Sequence, residues 1–179
     1  IGVHNIKNAA SALSVAFSIG VSDKIIKKGL KNFKGVQRRF NYLFEKNQIP
    51  FFDDYAHHPT EIESVLDGVK KVYNEEEIVC IFQPHRISRV RNLKKEFSKC
   101  FKKADTILLC PIYKAGENIK LGFSYESFAK LIAKNSNVNL IMLKNEHELK
   151  KIIKNITFGK KIFIAMGAGS ISNWVRNLN

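Results

Sequence analysis

Side chains able to hold or transfer charge collect in a few short segments of the chain. The densest is Asp53-Asp54-Tyr55-Ala56-His57-His58-Pro59-Thr60. Carboxylates and imidazoles at this density can bind a divalent cation. Adjacent histidines at a strand end point to opposite sides, however, so one metal would not recruit both. The same residues can cap a helix opening at Pro59. They can also meet a ligand: an aspartate accepts from ribose hydroxyls, and a helix N-terminus offers partial positive charge to an anion. Gln83-Pro84-His85-Arg86-Ile87-Ser88-Arg89 sets two arginines and a histidine together, a grip suited to a carboxylate. Joined to Arg91, Lys94 and Lys95 it also admits a nucleic-acid reading, although no aromatic residues are interleaved for base stacking. Arg38-Arg39 could reach a phosphate or remain solvated. Gly167-Ala168-Gly169-Ser170 has the look of a phosphate-cradling turn, but close strand-to-helix packing explains it equally well. The sequence contains no G-x-x-x-x-G-K-[ST] phosphate loop and no Cys or Ser nucleophile motif.

The elements that must position these residues follow from periodicity. Residues 5–18 read as a buried helix ending at Gly20. Ser22 is placed to cap a second helix, whose Ile25, Ile26 and Leu30 share a face. Gly35 breaks the pattern and marks the one plausible boundary, dividing residues 1–35 from 36–179. Beyond it, 38–45 and 49–55 read as strands around a turn at Lys46-Asn47. A helix runs from Pro59 to about Tyr73. Continuous apolar runs at 78–82 and 106–110 predict strands buried on both faces. An amphipathic basic helix is expected at 90–103, and further helices at 124–134 and 146–155. Strands are expected at 138–143 and 161–166, with a final helix after Ser170. The expectation is an α/β fold: a mostly parallel, Rossmann-like sheet with helices on both faces, preceded by two helices. Ligands bind such sheets beyond the carboxyl ends of the strands. The segments beginning at Asp53, Gln83, Tyr113 and Gly167 follow the strand residues 49–52, 78–82, 106–110 and 161–166, with Tyr113-Lys114-Ala115-Gly116-Glu117 the one after 106–110.

Bulk properties narrow the function classes. With 45% hydrophobic residues in 179, the chain should fold as an ordinary globular protein. No apolar run is long enough for a membrane helix, and no signal peptide is visible. The absence of a starting Met suggests a fragment or a processed chain. Three cysteines without C-x-x-C spacing read as reduced thiols of a cytoplasmic protein, not a disulfide frame or a zinc site. The net charge of +14 comes mostly from lysines scattered along the whole chain, which fits solvated faces better than one polyanion-binding surface. The arginines differ, since five of the six lie at 38–39 and 86–91.

Taken in order, the segments resemble the Mur ligase family. Gly2-Val3-His4-Asn5-Ile6-Lys7-Asn8 is similar to the family's G-x-H-N-x-x-N helix at the end of its central ATPase domain. Gly35 to Phe40 resembles the hinge into the C-terminal domain. Asp53–Glu61, Phe82–Arg89, Tyr113–Glu117 and Met166–Ile171 then follow in the order of the branch that adds L-alanine. The resemblance implies ATP-dependent ligation of L-alanine to UDP-N-acetylmuramate through an acyl phosphate, in peptidoglycan precursor synthesis. It further implies that Asn5, Asn8, Arg39, Asp54 and Tyr55 meet ATP, and that His57, His85, Arg86 and Arg89 hold L-alanine. By the same likeness Arg39, Asp54 and His57 serve catalysis, and Arg89 is the residue expected at the amino-acid carboxylate. No metal ligand is expected in this chain. The magnesium ligands, the phosphate loop and the UDP-binding domain are expected upstream of Ile1, so the chain alone should not ligate. Helix 5–18 would pack on that upstream domain. Ile87 stands where an aromatic is usual. The competing readings are a ligase that attaches a whole tripeptide to the same sugar nucleotide, whose segment at 83–89 should be of a Glu-Pro-Arg type, a basic nucleic-acid-binding domain, and a regulatory nucleotide-binding module that has lost catalysis.

Overall fold

The computed structural model describes residues 3–33 and 35–179, with side chains from residue 6 onward apart from Lys34. The chain divides into two compact units that meet at Gln37/Arg38.

The first unit holds α1 (Val3–Ser18) and α2 (Asp23–Asn32). Gly20, at φ +80°, supplies the left-handed turn after α1. Ser22 stands at the cap of α2, but its side chain makes no cap bond; its carbonyl accepts from Ile25 and Ile26 N–H instead. The expectation of a buried first helix is not met. Ile6, Val15 and Phe17 are exposed, and on α2 only Ile26 is buried while Ile25 and Leu30 are not. Two helices of this length have too little apolar area to enclose one another's faces.

The second unit is a six-stranded sheet in the order β1-β2-β6-β3-β4-β5. The hairpin β1 (Asn41–Lys46) and β2 (Ile49–Asp54) is antiparallel. The remaining pairs, which join β2, β6 (Lys161–Met166), β3 (Glu77–Phe82), β4 (Thr106–Leu109) and β5 (Asn139–Met142), are all parallel. The sheet is thus the mostly parallel one the alternation of strand and helix predicts.

Alternate residues of the central strands feed two separate cores. Phe52, Cys80, Phe82, Ile107, Leu109, Ile164 and Met166 face one side. There they meet α3 (Pro59–Val72), α4 (Ile87–Asn92), α5 (Lys94–Phe97) and α6 (Tyr125–Ser136) through Ile62, Leu66, Val90, Phe97 and Phe128. Phe51, Val79, Ile81, Leu108, Phe163 and Ala165 face the other side, against Leu149 and Ile153 of α7 (Glu146–Ile156) and Ile171 and Val175 of α8 (Ile171–Arg176). Burial on both faces explains why these strands read as unbroken apolar runs.

Several boundaries move. β1 begins at Asn41 rather than 38, because Arg38 and Phe40 adopt positive φ (58° and 50°) and cannot join a ladder. The hairpin turn falls on Asn47-Gln48, both left-handed (φ 53° and 64°), as a two-residue turn matched to strand twist requires. The helix expected at 90–103 starts earlier, at Ile87, and breaks at Leu93 (φ −113°, ψ 27°) into α4 and α5. β5 is shorter than expected, ending at Met142.

Candidate functional site

The strand order sets β6 between β2 and β3, so their carboxyl ends lie side by side. Gly167 N–H donates to Asp54 O at 3.2 Å, and Gln83 N–H donates to Met166 O at 3.0 Å. Segments 53–58, 167–170 and 83–89 therefore share one edge. The loop after β4 joins them: Tyr113 N–H donates to Pro84 O at 2.8 Å, beside a parallel bridge between His85 and Tyr113.

At the end of β2 two adjacent carboxylates do scaffold work. Asp54 is buried and accepts from Ala56 N–H at 2.7 Å and Phe40 N–H at 2.8 Å. Burial pushes its carboxyl above the ordinary value, although those two N–H groups and the charge of Arg39 pull the other way. Asp53 is fully buried; it accepts from Ser172 Oγ and faces Arg38 Nε at 3.6 Å and Arg176 at 3.5 Å. Arg38 also donates to the Gly167 carbonyl, and its guanidinium lies 4.7 Å over the Tyr55 ring. Of the arginine pair, Arg38 is thus tied into the edge. Arg39 is exposed, and its charge is felt by Asp54 and Glu61.

The two histidines separate as their positions on an extended segment dictate. His58 is the N-cap of α3: its Nδ1 accepts from Thr60 N–H at 3.4 Å, and Glu61 closes a capping box. His57 instead turns into the site, its ring 5.3 Å from Tyr55 and 5.8 Å from His85, both edge-on. His57 Nδ1 faces the Tyr55 carbonyl at 2.9 Å and Glu61 Oε2 at 3.4 Å. Both are acceptors, so Nδ1 carries a proton and Nε2 is the nitrogen left for a ligand.

At the end of β3 the charge is positive. His85 stacks on Tyr113 (5.5 Å, 10° between planes), and Arg89 Nη1 lies 3.3 Å from His85 Nδ1 and donates to the His85 carbonyl. A guanidinium only donates, so Nδ1 of His85 is an acceptor and the ring is neutral, with its proton on Nε2. Partial burial, then the charges of Arg89, of His57 when protonated, and of Arg86, hold its pKa below the usual value. His57 and His85 thus present opposite faces: a lone pair from the first, an N–H from the second. Arg86 is half-exposed beside Glu117, with Nε 3.7 Å from the carboxylate.

Glu117 is the residue sequence reasoning left without a role. It accepts from Ser88 N–H at 2.9 Å and from Ser88 Oγ, which caps the start of α4 from the loop after β4. Its Ser88 bonds, opposed by slight desolvation and aided by Arg86, hold its carboxyl below the ordinary range. The glycine turn is explained by packing. A Cβ at Gly167, which has φ +147°, would come within 2.6 Å of the Gln83 carbonyl oxygen. One at Gly169 would come within 2.6 Å of Tyr113 Cγ and 2.5 Å of Gln83 Oε1. That same Gln83 oxygen accepts from Ile171 N–H at 3.0 Å and fixes the start of α8.

Of the other expected contacts with a nucleotide, Asn8 is exposed on α1, and the side chain of Asn5 lies outside the described residues, as do Ile1, Gly2 and Lys34. Tyr55 is partly exposed, as an aromatic platform must be. The three cysteines are buried, and burial drives their pKa values far upward, so none is a nucleophile. Among the described residues, no group of three or more His, Cys, Asp or Glu could hold a metal ion. No helix among them is long and apolar enough to cross a membrane.

An open, mostly parallel α/β sheet, with a cationic cluster and two opposed imidazoles at its carboxyl edge, defines a Rossmann-like α/β domain. Residues 38–169 match the Mur ligase, glutamate ligase domain, and the chain belongs to that family. It is 62% identical over 178 residues to the UDP-N-acetylmuramate–L-alanine ligase of Pelagibacter ubique, covering 99% of this chain and 38% of that protein. The crystal structure of the UDP-N-acetylmuramate–alanine ligase of Thermotoga maritima is similar, with a TM-score of 0.78 and 29% identity over 99% of this chain and 37% of its own. A murein peptide ligase of Psychrobacter arcticus follows, at TM-score 0.70 and 26% identity over 99% of this chain and 36% of its own. The chain therefore spans little more than a third of the length of the relatives it matches.

Proposed function

We propose that this chain is the C-terminal part of an ATP-dependent ligase that joins L-alanine to UDP-N-acetylmuramate in peptidoglycan precursor synthesis. The observation that carries this reading is its likeness, along nearly its whole length, to a relative of that name. The site chemistry agrees with it. A free amino acid is a zwitterion, and the edge offers matched partners for both ends. Arg89, Arg86 and the Nε2–H of neutral His85 suit the carboxylate, because donors in a planar fork pair with it bidentately. His57 Nε2 suits the amino group.

In the proposed reaction, ATP transfers its terminal phosphoryl group to the carboxylate of UDP-N-acetylmuramate and leaves as ADP. The amino group of L-alanine attacks the acyl carbon, the C–N bond forms, and phosphate departs with the C–O electron pair. The contribution of this chain is positioning and charge placement. Tyr55 offers a face to the nucleotide. Arg39, exposed at the start of the domain, is placed for phosphate. Asp54 holds the backbone between Phe40 and Ala56 in shape, and its remaining lone pairs are the ones available to a ribose hydroxyl. The described residues do not form a metal site of their own, so no step is assigned to magnesium here; its ligands, and the phosphate loop, belong to the upstream sequence. Residues 1–35, with Asn5 and Asn8, are assigned to the end of the central ATP-binding domain, and the exposed faces of α1 and α2 to packing on the rest of it. The protein is placed in the cytoplasm, without nucleic-acid or membrane partners.

The test is phosphate release from ATP by the full-length protein with UDP-N-acetylmuramate. L-Alanine, glycine, L-serine and the tripeptide are offered in parallel. Turnover favouring L-alanine is expected, and the isolated 179 residues should form no product. Turnover with the tripeptide alone would move the chain to the murein peptide ligases, and none with any acceptor would leave only a nucleotide-binding module.

A further inference from the structure

Glu61 lies outside the residues assigned to either substrate, yet its geometry ties it to one of them. One oxygen, Oε2, accepts from His57 N–H at 3.0 Å and His58 N–H at 3.2 Å, and also faces His57 Nδ1 at 3.4 Å. The first two contacts are the capping box of α3 and need only an acceptor oxygen. The third is different, since it places a carboxylate against the ring of the histidine assigned to the amino group.

We propose that Glu61 is a positioning residue for amine activation: beside the Tyr55 carbonyl, which keeps the His57 proton on Nδ1, its charge stabilises the imidazolium formed when Nε2 takes a proton from the incoming ammonium group. This rests on the reading that the acceptor is a free amino acid. An ammonium nitrogen has no lone pair, so a proton must leave before attack. His57 Nε2 takes it and becomes an imidazolium shared with the Glu61 carboxylate. The freed nitrogen lone pair forms the C–N bond to the acyl carbon. As the tetrahedral intermediate collapses, the C–O bond to phosphate breaks, and the departing phosphate takes both its electron pair and the second proton from nitrogen. The arrangement follows the logic of a base oriented by a third group.

The charges around the pair favour this direction of transfer. His57 is met by Tyr55 and Glu61 on the β2 side and by His85 on the β3 side, with Arg86 and Arg89 behind His85. Those cations disfavour positive charge on the ammonium and on the ring alike, and among the described residues Glu61 is the carboxylate that offsets it at the ring. Burial alone would raise the Glu61 carboxyl; the N–H groups of His57 and His58, then His57 once protonated and the charge of Arg39, outweigh it and hold the group ionised.

Glu61→Gln keeps an acceptor for the cap and removes the charge, which separates the two roles. In the full-length protein we expect kcat/KM for L-alanine to fall by about tenfold or more, as a proton-transfer group loses its orienting partner. The acid limb of its pH profile should move to lower pH, because an imidazolium without its carboxylate is a stronger acid. Melting temperature should stay near that of the wild type. Unchanged rate and acid limb, or a lower rate with the acid limb in place, would overturn the proposal and leave Glu61 as a cap. The ring 15N shifts of labelled histidine, assigned by His57→Asn, give a second readout that does not depend on the variant's folding. The Nδ1–H tautomer at His57 is required, and the opposite tautomer overturns it. A wild-type protein with no L-alanine-dependent phosphate release would sink the underlying reading, and the proposal with it.

Discussion

The carboxyl ends of β2 and β3 sit on the same edge but use their charged residues in opposite ways. After β2 the groups are mainly anionic, and nearly all are consumed internally: Asp53 by Ser172 and two arginines, Asp54 by two backbone N–H groups, Glu61 by a cap. After β3 they are cationic, and they keep unused donors: Arg86 is half-exposed, Arg89 spends part of its fork on His85, and His85 retains Nε2–H. The contrast teaches that charge density does not mark a ligand contact by itself. The anionic side builds the frame, and it exposes one imidazole lone pair. The cationic side faces outward. Together they suit a zwitterion.

The largest effect is expected from removing a frame carboxylate. Asp54→Ala strands two N–H groups in a buried place, and the expected loss is about 3 kcal/mol of unfolding free energy. Denaturant titration of the full-length protein measures it. A loss as small as that of an exposed substitution would show that the β2 side is no frame.

A smaller effect is expected on the β3 side. The folded Glu117 carboxyl is held below its ordinary value, so its stabilisation is present above the unfolded value of 4.5 and is lost as pH falls through the lower, folded one. Glu117→Gln should lower the neutral-pH melting temperature slightly, toward the acid-side value, and flatten its fall between roughly pH 5 and pH 3. A wild-type-like acid fall in the variant would assign that slope to other carboxylates.

Much of this was legible from particular residues. The unbroken runs 78–82 and 106–110 announced strands covered on both sides, and the sheet edge then followed, because each charged segment trails a strand. The adjacent histidines were legible as diverging from the two-residue period of an extended chain. What lay hidden was long-range or conformational. Arg38 and Phe40 take positive φ, which neither residue type advertises, and so β1 starts late. Glu117 bonds Ser88, 29 residues before it, at the start of α4, a pairing no local pattern shows. Gly169 is glycine because the Tyr113 ring fills its Cβ position, which a phosphate-turn reading cannot anticipate. The apolar face of α1 reads as buried from its composition, and Ile6 and Phe17 are exposed instead.

The most direct test of the proposed site compares two arginines of one helix, Arg89 in the site and Arg91 exposed, in the full-length protein. Steady-state kinetics with L-alanine as the varied substrate are measured for Arg89→Ala and Arg91→Ala. Arg89→Ala should raise KM for L-alanine by about a hundredfold, the cost of a lost charge-assisted carboxylate pair, with the KM for ATP little changed. Arg91→Ala should resemble the wild type. Equal, small effects in both variants would contradict the assignment of the β3 edge to the amino-acid carboxylate.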